Sequence, residues 1–415
     1  MIKEKNLPNG WAIKPMTEVV TWGAGGTPKA TESQYYDNGD IPWLIIGDLN
    51  DGVVTESQSK ITELGLKNSS AKIIPAGTLL VAMYGSIGKL GITGIECCTN
   101  QAIAFAKELR GVSTKYMFYY MAMMKSKLIS MGKGGTQNNI SQTILKSLNV
   151  IVPPPEVQDN LVFRIEELFS ELDKAVETLQ TTKQQLAVYR QAVLKEAFEI
   201  AIQGYNAKSD MLSIEELLTT DRKGMATGPF GTMIKKHEHQ KSGIPMLGIE
   251  NIGEGKYVDG NKIFVTTEKA EELKSFALHA GDIIISRSGT VGEICAVPQR
   301  AEGALLSTNL MRVSLNHDVI RSDYFIFLFQ SKGIVLDQVK ELCKGSTRIF
   351  LNQTILKQIQ FPVPSLNKQM EIVHKIESRL SVCESIEQTV ETTLAQADAM
   401  RQSILKQAFE GGFNQ

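Results

Sequence analysis

The sequence predicts an α+β protein built from two tandem, pseudo-symmetric domains and two long helices that pair with each other. Three observations carry this prediction: a long internal repeat, two heptad stretches of equal length, and short β-rich runs punctuated by glycine and proline. The clearest part of the repeat is SQTILKSLNVIVPPPEVQ, starting at Ser141, which returns as NQTILKQIQFPVPSLNKQ, starting at Asn352. The chain is therefore an internal duplication.

The repeat has one part of constant length and one part of variable length. VYRQAVLKEAFE and AMRQSILKQAFE lie 211 positions apart, as do the two copies quoted above. Upstream, PAGTLLVAMYGSIG and HAGDIIISRSGTVG are 204 positions apart, and GDIPWLIIGDLNDG and SGIPMLGIENIGEG are 203 apart. Small insertions therefore accumulate in the body of each repeat, whereas its terminal part keeps a fixed length.

The constant part predicts a long helix in each copy. Prolines at Pro153–Pro155 and Pro362–Pro364 precede the two helices and end the strands before them. About 45 residues at 1.5 Å each give a rod of roughly 65 Å. We expect the helices to pair; two independent surface helices, each packed on its own domain, are the alternative. Apolar residues recur at spacings of four and three: Leu161, Ile165, Leu168, Leu172, Ala175, Leu179, Thr182, Leu186, Tyr189 and Val193, then Ile372, Ile376, Leu380, Cys383, Ile386, Val390, Leu394, Ala397, Met400 and Ile404.

The variable part predicts strands followed by amphipathic helices. IPWLII, KIIPAGTLLVAMYG and TNQAIAFAKE read as strands, and IPMLGI, GDIIISRSG and STNLMRVSL are their counterparts. Helices are expected in Ser113–Gly132 and Arg321–Gly345. Their aromatic residues are interpreted as core: Tyr116, Phe118, Tyr120, Tyr324 and Phe327.

Bulk properties predict a soluble intracellular protein. The 415 residues are 42% apolar, but no run of about 18 apolar residues indicates a membrane span, and no secretory signal is recognised at the start. The five cysteines form no C-x-x-C pair, as expected for reduced thiols. The net charge of −1 is unevenly distributed: residues 1–155 carry an excess of basic residues and residues 156–202 an excess of acidic ones. We expect a cytoplasmic location.

Catalytic motifs are not recognised. YGSIGKLG lacks the spacing of a phosphate-binding loop. Glu254 and Lys256 match the end of a nuclease motif, but GEGKYVDG is better interpreted as a hairpin turn. His237 and His239 have no third metal ligand in register, so a solvated basic loop is favoured. The sequence predicts a protein that is not an enzyme and binds no metal or cofactor.

The remaining hypothesis is recognition of DNA through polar, glycine-rich loops at matched positions. Glycine lets backbone N–H groups approach phosphates, hydroxyl and amino groups add donors, and Asn, Gln and Arg read base edges. An ordinary surface loop is the alternative for each residue. The candidate DNA-binding residues are Gly26, Thr27, Lys29, Tyr84, Ser86, Lys133, Gln137 and Asn138 in the first copy, and Phe230, Thr232, Lys235, Lys236, Arg287, Thr290, Lys344, Thr347 and Arg348 in the second. Gly88 and Gly292 are expected to be structural turn glycines.

With the repeat laid out, the chain resembles the specificity (S) subunits of type I restriction–modification systems over nearly its whole length. The resemblance rests on LPNGW, GGTPKA, GDIPWLIIGDLND and GPFGTMIKK, and on the paired QTILK and RQ-x-x-LK-x-AFE segments. It implies a first target recognition domain in residues 1–155 and a first spacer helix in 156–202. A second recognition domain in 203–364 and a second spacer helix in 365–415 would follow, with the two helices forming an antiparallel coiled coil.

The resemblance also implies a function and partners. Each recognition domain would read one half of a bipartite site in double-stranded DNA, and the coiled coil would set the spacer between the halves. Two modification subunits and the restriction/translocase subunits would perform adenine methylation and cleavage. S-adenosylmethionine, ATP and Mg²⁺ would then be bound by those partners. A stand-alone bivalent DNA-binding regulator and a coiled-coil scaffold without enzymatic partners remain the alternatives.

Overall fold

The computed structural model describes residues 7–132, 139–203, 211–230, 233–342, 350–411 and 413. The chain divides into two compact units. Unit 1 combines Met1–Leu179 with Thr392–Gln415, and unit 2 is Gln180–Glu391. Because both long helices cross a unit boundary, each unit contains one α+β domain and one portion of each helix. The domain boundaries expected from the sequence are not tested by this division and stay a prediction.

Unit 1 is built on a mainly antiparallel sheet covered by helices. Its strands are β1 (Ala12–Pro15), β2 (Val20–Ala24), β3 (Ile41–Leu44), β4 (Gly52–Val54), β5 (Lys60–Ile61), β6 (Leu79–Ala82), β7 (Leu90–Thr93), β8 (Cys98–Thr99), β9 (Ile103–Leu109) and β10 (Asn149–Val152). Its helices are α1 (Met16–Val19), α2 (Glu63–Lys67), α3 (Thr114–Met123), α4 (Lys125–Met131), α5 (Gln142–Lys146) and the first part of α6 (Pro155–Gln203).

Three sheets form in the described part of unit 1. The largest has the strand order β2-β9-β6-β7-β4, in which β4 and β7 are parallel. A second has the order β5-β3-β8, with β3 parallel to β8. In the third, β1 pairs with β10, so the first strand of the domain meets the strand that leads into α6.

Unit 2 repeats this plan. Its strands are β11 (Met211–Ser213), β12 (Met225–Thr227), β13 (Ile244–Leu247), β14 (Ile252–Gly253), β15 (Lys256–Tyr257), β16 (Ile263–Val265), β17 (Ile283–Ser286), β18 (Ile294–Ala296), β19 (Leu305–Leu306), β20 (Leu310–Val313) and β21 (Gln360–Pro362). Its helices are α7 (Ile214–Leu217), α8 (Thr267–Glu272), α9 (Ser322–Gln330), α10 (Val335–Leu342), α11 (Gln353–Gln358) and α12 (Leu366–Phe409), whose last part belongs to unit 1.

The sheets of unit 2 correspond to those of unit 1, with one difference. The orders β12-β20-β17-β18 and β16-β13-β19 match the two larger sheets, including the parallel pair β13 and β19. β11 pairs with β21 as β1 pairs with β10. Instead of a fifth strand, unit 2 has the separate hairpin of β14 and β15. The predicted α+β fold with an internal duplication is confirmed.

Each hydrophobic core includes the end of the long helix that closes the other repeat. In unit 1, Phe409 at the end of α12 packs edge-on against Tyr116 and Tyr120, with ring centroids 5.3 and 5.2 Å apart. In unit 2, Phe198 near the end of α6 packs in the same way against Tyr324, at 5.5 Å. The repeated Ala-Phe-Glu segment therefore stabilises the domain of the opposite repeat. The predicted core aromatics are buried, with Phe327 partly so.

One buried glutamine joins each domain to the helix that follows it. Gln158 donates to Gly111 O at 2.8 Å and to Pro153 O at 3.0 Å, and accepts from Ser113 N–H at 3.2 Å. In unit 2, Gln369 makes the corresponding three bonds with Val319 O, Pro364 O and Arg321 N–H at 2.8–2.9 Å. This accounts for the glutamine that follows the Val-Pro of both repeats.

The long helices contact each other in both units. In unit 1, Arg401 of α12 donates to Asp173 of α6. In unit 2, Arg190 of α6 binds Glu387 of α12 through two hydrogen bonds of 3.1 and 2.6 Å. Within unit 2, Lys183, Arg190 and Glu196 of α6 pair with Glu391, Glu387 and Arg379 of α12, so residue numbers rise along one helix as they fall along the other. The predicted helix pairing is confirmed.

The heptad seam is less regular than the spacing predicts. Ala175, Tyr189, Ile386 and Met400 are exposed, although they occupy expected seam positions. A straight helix has 3.6 residues per turn and drifts from a 3.5-residue repeat by about 20° per heptad, so a strict seam leaves the contact face. Burial moves instead to neighbouring positions such as Leu194 and Leu405, which pack in the two cores.

Among the described helices, none combines the length and apolar character required to span a membrane. Cys97, Cys98, Cys295 and Cys383 are buried free thiols, and Cys343 lies outside the described residues. Burial, as the leading cause, raises the pKa of Cys97 and of Cys295 to about 12. These thiols are therefore held in the neutral form.

Candidate nucleic-acid interface

In unit 1, the glycine-rich loop after β2 packs tightly against the turn between β8 and β9. Gly26 N–H donates to Thr99 O at 2.9 Å, and its carbonyl accepts from Trp43 Nε1 at 3.0 Å. A Cβ atom on Gly25 would lie 2.0 Å from Thr99 O. Only glycine permits this close approach of two backbones. The loop is thus fixed at its base, while Thr27 and Lys29 are exposed.

Unit 2 makes a similar close approach, one residue further along the turn, with different side chains. A Cβ atom on Gly228 would lie 1.9 Å from Ser307 O. Thr308 Oγ1 donates to Pro229 O at 2.7 Å. The next residue, Phe230, is 65% exposed, where the corresponding residue of unit 1 is Thr27. The two units share this backbone arrangement but expose different side chains on it.

The turn that supports each loop is held by the same pair of backbone hydrogen bonds. In unit 1, Asn100 N–H donates to Leu44 O at 3.0 Å, and Ala102 O accepts from Met83 N–H at 2.8 Å. In unit 2, Ser307 N–H donates to Leu247 O at 3.1 Å and Asn309 O accepts from Arg287 N–H at 2.9 Å. These bonds attach each turn to the ends of two strands from different sheets. Side chains there can differ without changing the backbone.

Hairpin tips lie beside these turns. Tyr84, 40% exposed, forms an isolated bridge with Asn139. Ser86 and Thr290 are exposed, and the carbonyl of each accepts a backbone hydrogen bond three residues on. Gly88 and Gly292 have φ of +74° and +90°, which glycine adopts without strain, so their expected role as turn glycines is confirmed.

Arg287 occupies a different environment from the exposed hairpin tip that the sequence suggests. It is 6% exposed. Its guanidinium donates to Leu351 O and to Thr308 O, both at 3.2 Å, and lies 4.5 Å from the centre of the Phe350 ring. Burial lowers the pKa of this guanidinium. Arg287 therefore braces three loops, and its proposed contact with DNA stays a prediction.

A basic turn adds charge to the loops of unit 2. Glu238 accepts from Lys235 N–H at 2.6 Å and pairs with Lys269 at 2.9 Å. The hydrogen bond to Lys269 is the main reason that the pKa of Glu238 is lowered. The turn is thereby fixed with Lys235 and Lys236 exposed. Lys236 lines a cleft of about 310 Å³ together with Thr308 and Asn309.

In unit 1 the corresponding charge is partly compensated. The exposed Lys29 pairs with the half-buried Glu32 at 3.2 Å. Thr27 donates through its hydroxyl to Gln101 Oε1. The other candidates lie outside the described residues: Lys133, Gln137, Asn138, Thr232, Lys344, Thr347 and Arg348.

The sequence reasoning missed Gln101, Ser288 and Asn309, which stand on the turns and hairpin tips just described. Ser288 lies inside the matched segment HAGDIIISRSGTVG, and the two amides lie inside the counterpart runs TNQAIAFAKE and STNLMRVSL, but these motifs do not distinguish them from their neighbours. A signal was present nonetheless: the amides follow short β-rich runs in both copies, at the point where a strand ends and a turn begins.

The described residues contain no group of three or more His, Cys, Asp or Glu side chains arranged to hold a metal ion. Glu254 and Gly255 have φ of +47° and +84° and connect β14 to β15. Two central residues with positive φ are typical of a tight hairpin turn. The hairpin interpretation of GEGKYVDG is confirmed.

The two units together define a class of protein: a duplicated α+β domain that presents variable loops on a constant backbone, connected by paired helices. Residues 8–187 and 228–396 match the family model described as "Type I restriction modification DNA specificity domain". The chain belongs to this family.

Relatives extend over nearly the whole chain. The StySPI specificity subunit of Salmonella potsdam is 22% identical, across 98% of this chain and 89% of its own length. The EcoKI specificity subunit of Escherichia coli K12 is 24% identical with the same coverage. Both are named as type I restriction enzyme specificity subunits.

Solved structures share the fold. A chain from work on complex assembly and conformational transition of the type I R-M system superposes with a TM-score of 0.72. It is 14% identical, and the match covers 98% of this chain and 99% of that one. The HsdS subunit from Thermoanaerobacter tengcongensis gives a TM-score of 0.51 at 15% identity, covering 98% of each chain.

Proposed function

We propose that this chain is the DNA specificity subunit of a type I restriction–modification complex, in which each unit reads one half of a bipartite site in double-stranded DNA. The observation that carries the proposal is the pair of loop clusters. Each has the same backbone hydrogen bonds and the same close-approach glycine, Gly25 or Gly228, yet presents different side chains. Two domains that recognise different DNA sequences require a constant backbone that carries different side chains.

Phosphate contacts are expected from the exposed cations of the loops. Lys235 and Lys236 stand on a turn fixed by Glu238. The chain as a whole has a net charge of −1, so non-specific attraction to DNA is weak. Tight binding therefore requires charge from partner subunits.

Two equivalent clefts in the units provide docking sites for those partners. The cleft in unit 1, about 880 Å³, is lined by Arg401, Gln402 and Leu405 of α12. The cleft in unit 2, about 540 Å³, is lined by Arg190, Gln191 and Leu194 of α6. Both triplets come from the repeated RQ-x-x-LK segment. A site present twice with the same residues is suited to two copies of one partner, the modification subunit.

The chain itself is proposed to be non-catalytic and to act in the cytoplasm. Adenine methylation and DNA cleavage belong, in this proposal, to the modification and restriction/translocase subunits. S-adenosylmethionine, ATP and Mg²⁺ are accordingly assigned to those partners.

The test is the methylated motif. The chain would be co-expressed with modification subunits of a type I system in a host that lacks other adenine methylation. Sequencing of modified bases in host DNA should reveal one motif with two specified halves and an unspecified spacer. Methylation at a continuous motif, or no methylation that depends on this chain, would reject the proposal.

A further inference from the structure

One exposed amide side chain in each unit is held by a neighbouring hydroxyl and has its nitrogen free. In unit 1 this is Gln101, whose Oε1 accepts from Thr27 Oγ1. In unit 2 it is Asn309, whose Oδ1 accepts from Ser288 Oγ at 3.1 Å. Both amides are exposed, and among the described residues neither amide NH₂ group has an acceptor.

The hydroxyl holds each amide in position through a hydrogen bond to the amide oxygen. An amide oxygen has two lone pairs and the NH₂ group has two donors. With one lone pair occupied by the hydroxyl, the oxygen keeps one acceptor position and the nitrogen keeps its donors. Each side chain therefore presents an acceptor and a donor side by side to solvent.

The backbones that carry these amides are rigid. Gln101 lies between Asn100 and Ala102, which are both fixed to strand ends by backbone hydrogen bonds. Asn309 is fixed through its own carbonyl by Arg287 N–H at 2.9 Å. The amides stand on the corresponding turn of each unit but one position apart, and the supporting hydroxyls come from different loops. The arrangement is thus formed by different residues in the two copies of the duplicated domain.

We infer that Gln101 and Asn309 are specificity-determining residues, each reading one adenine in the major groove of its half-site. The inference rests on the proposed function. Adenine presents an N7 acceptor beside an N6 donor on its major-groove edge, and a side-chain amide matches the two with one donor and one acceptor. Thr27 and Ser288 are positioning residues that hold each amide side chain in place through a hydrogen bond. Lys236 shares a cleft with Asn309 and provides a cation for the nearby backbone phosphate.

The experiment selects duplexes from a random pool with the full chain in complex with its modification subunits, and sequences the bound fraction. Gln101→Ala should lose about tenfold or more of the preference for adenine at one base pair of one half-site. The other half-site should keep its preferences. Asn309→Ala should do the same in the opposite half only.

Further variants separate reading from folding. Gln101→Glu keeps the shape but removes the donor, and should move the preference at that base pair toward cytosine, whose amino group a carboxylate accepts. Thr27→Val should weaken the adenine preference, and Thr27→Ser should restore it. Gln299→Ala removes an exposed amide from the other end of the unit 2 sheet and should leave the motif unchanged.

The outcomes distinguish this inference from the function on which it rests. Suppose that the wild-type complex selects a bipartite motif and that the Gln101→Ala or Asn309→Ala complex shows the same base preferences. The assignment of these residues is then overturned, while the proposed function stands. Equal loss at both half-sites from either variant also overturns it. If the wild-type complex selects no sequence, the proposed function fails and the assignment fails with it.

Discussion

Gln158 and Gln369 are single side chains that each satisfy three backbone groups at the point where a domain meets its helix. Both are buried, with 2% and 0% exposure. A buried amide satisfied in this way is costly to remove, because three backbone groups lose their partner and no water replaces it.

Gln369→Met tests this directly, since it keeps the length of the side chain and removes the polar atoms. We expect a loss of about 3 kcal/mol in the free energy of unfolding, because three buried backbone groups are left unpaired. Urea denaturation of the full chain would measure it. Gln407→Met, exposed on the same helix, is the control and should be close to neutral. Equal effects of the two substitutions would contradict the role of Gln369.

Gly25 provides a second test at the scale of one residue. The added methyl of Gly25→Ala would meet Thr99 O at 2.0 Å, so the loop must shift. We expect a loss of about 1–3 kcal/mol by overpacking, with weaker DNA selection in the half-site read by unit 1. Gly47→Ala is the control, since its nearest neighbour would lie 3.9 Å away. A stable Gly25→Ala protein with unchanged selection would show that the close approach is dispensable.

At the residue scale, the sequence predicts the burial of a side chain where residue type and helical spacing alone determine it. Tyr116 and Tyr324 were expected in the core because apolar helices bury their aromatic face. The burial of Arg287 was not predictable, since its acceptor Leu351 O lies 64 positions away along the chain. Gln158 and Gln369 stood out by repetition, but only the fold reveals the carbonyls they bind.

At the scale of elements, the helix bounds follow from sequence and their packing does not. Prolines and heptads place the helices within a few residues of Pro155–Gln203 and Leu366–Phe409. The heptad pattern predicts that the two helices pair with each other. It does not indicate which domain packs against the C-terminal end of each helix. The packing of Phe198 on Tyr324 and of Phe409 on Tyr116 depends on tertiary structure.

The pairing of the helices in unit 2 depends more on Arg190 than on the exposed ion pairs. The Arg190 and Glu387 side chains are 19% and 24% exposed and share two hydrogen bonds, whereas Lys183 and Glu391 are more than half exposed. Arg190→Met should lower the free energy of unfolding by about 1–2 kcal/mol. Lys183→Met should have little effect because water and salt screen exposed pairs. A larger effect at Lys183 would contradict this ranking, which denaturation at low and high salt can check.

At the scale of the whole molecule, the duplication itself was the strongest sequence signal, because the two repeats within the chain can be compared with each other. The candidate DNA-reading loops were harder to predict, since function there requires the copies to differ. Gln101 and Asn309, which we infer to be specificity-determining residues, are of this kind: they are held by Thr27 and Ser288, which come from loops distant in the sequence.

The two long helices are expected to set the spacing of the DNA target. Insertion of one heptad into α6, with a matching insertion into α12, should change the number of unspecified base pairs. The sequences of both half-sites should stay the same, because the loop clusters are untouched. Modified-base sequencing of host DNA would report both quantities, and a changed half-site sequence with an unchanged spacer would contradict the expectation.

The most direct measurement of the central claim is the methylated motif after exchange of one recognition domain. Residues 11–153 would be replaced by the corresponding residues of a relative, and host DNA would be sequenced for modified adenine. If each unit reads one half-site, one half of the motif changes to that of the relative while the other half is retained. An unchanged motif, or a simultaneous change of both halves, would contradict the assignment of one half-site to each unit.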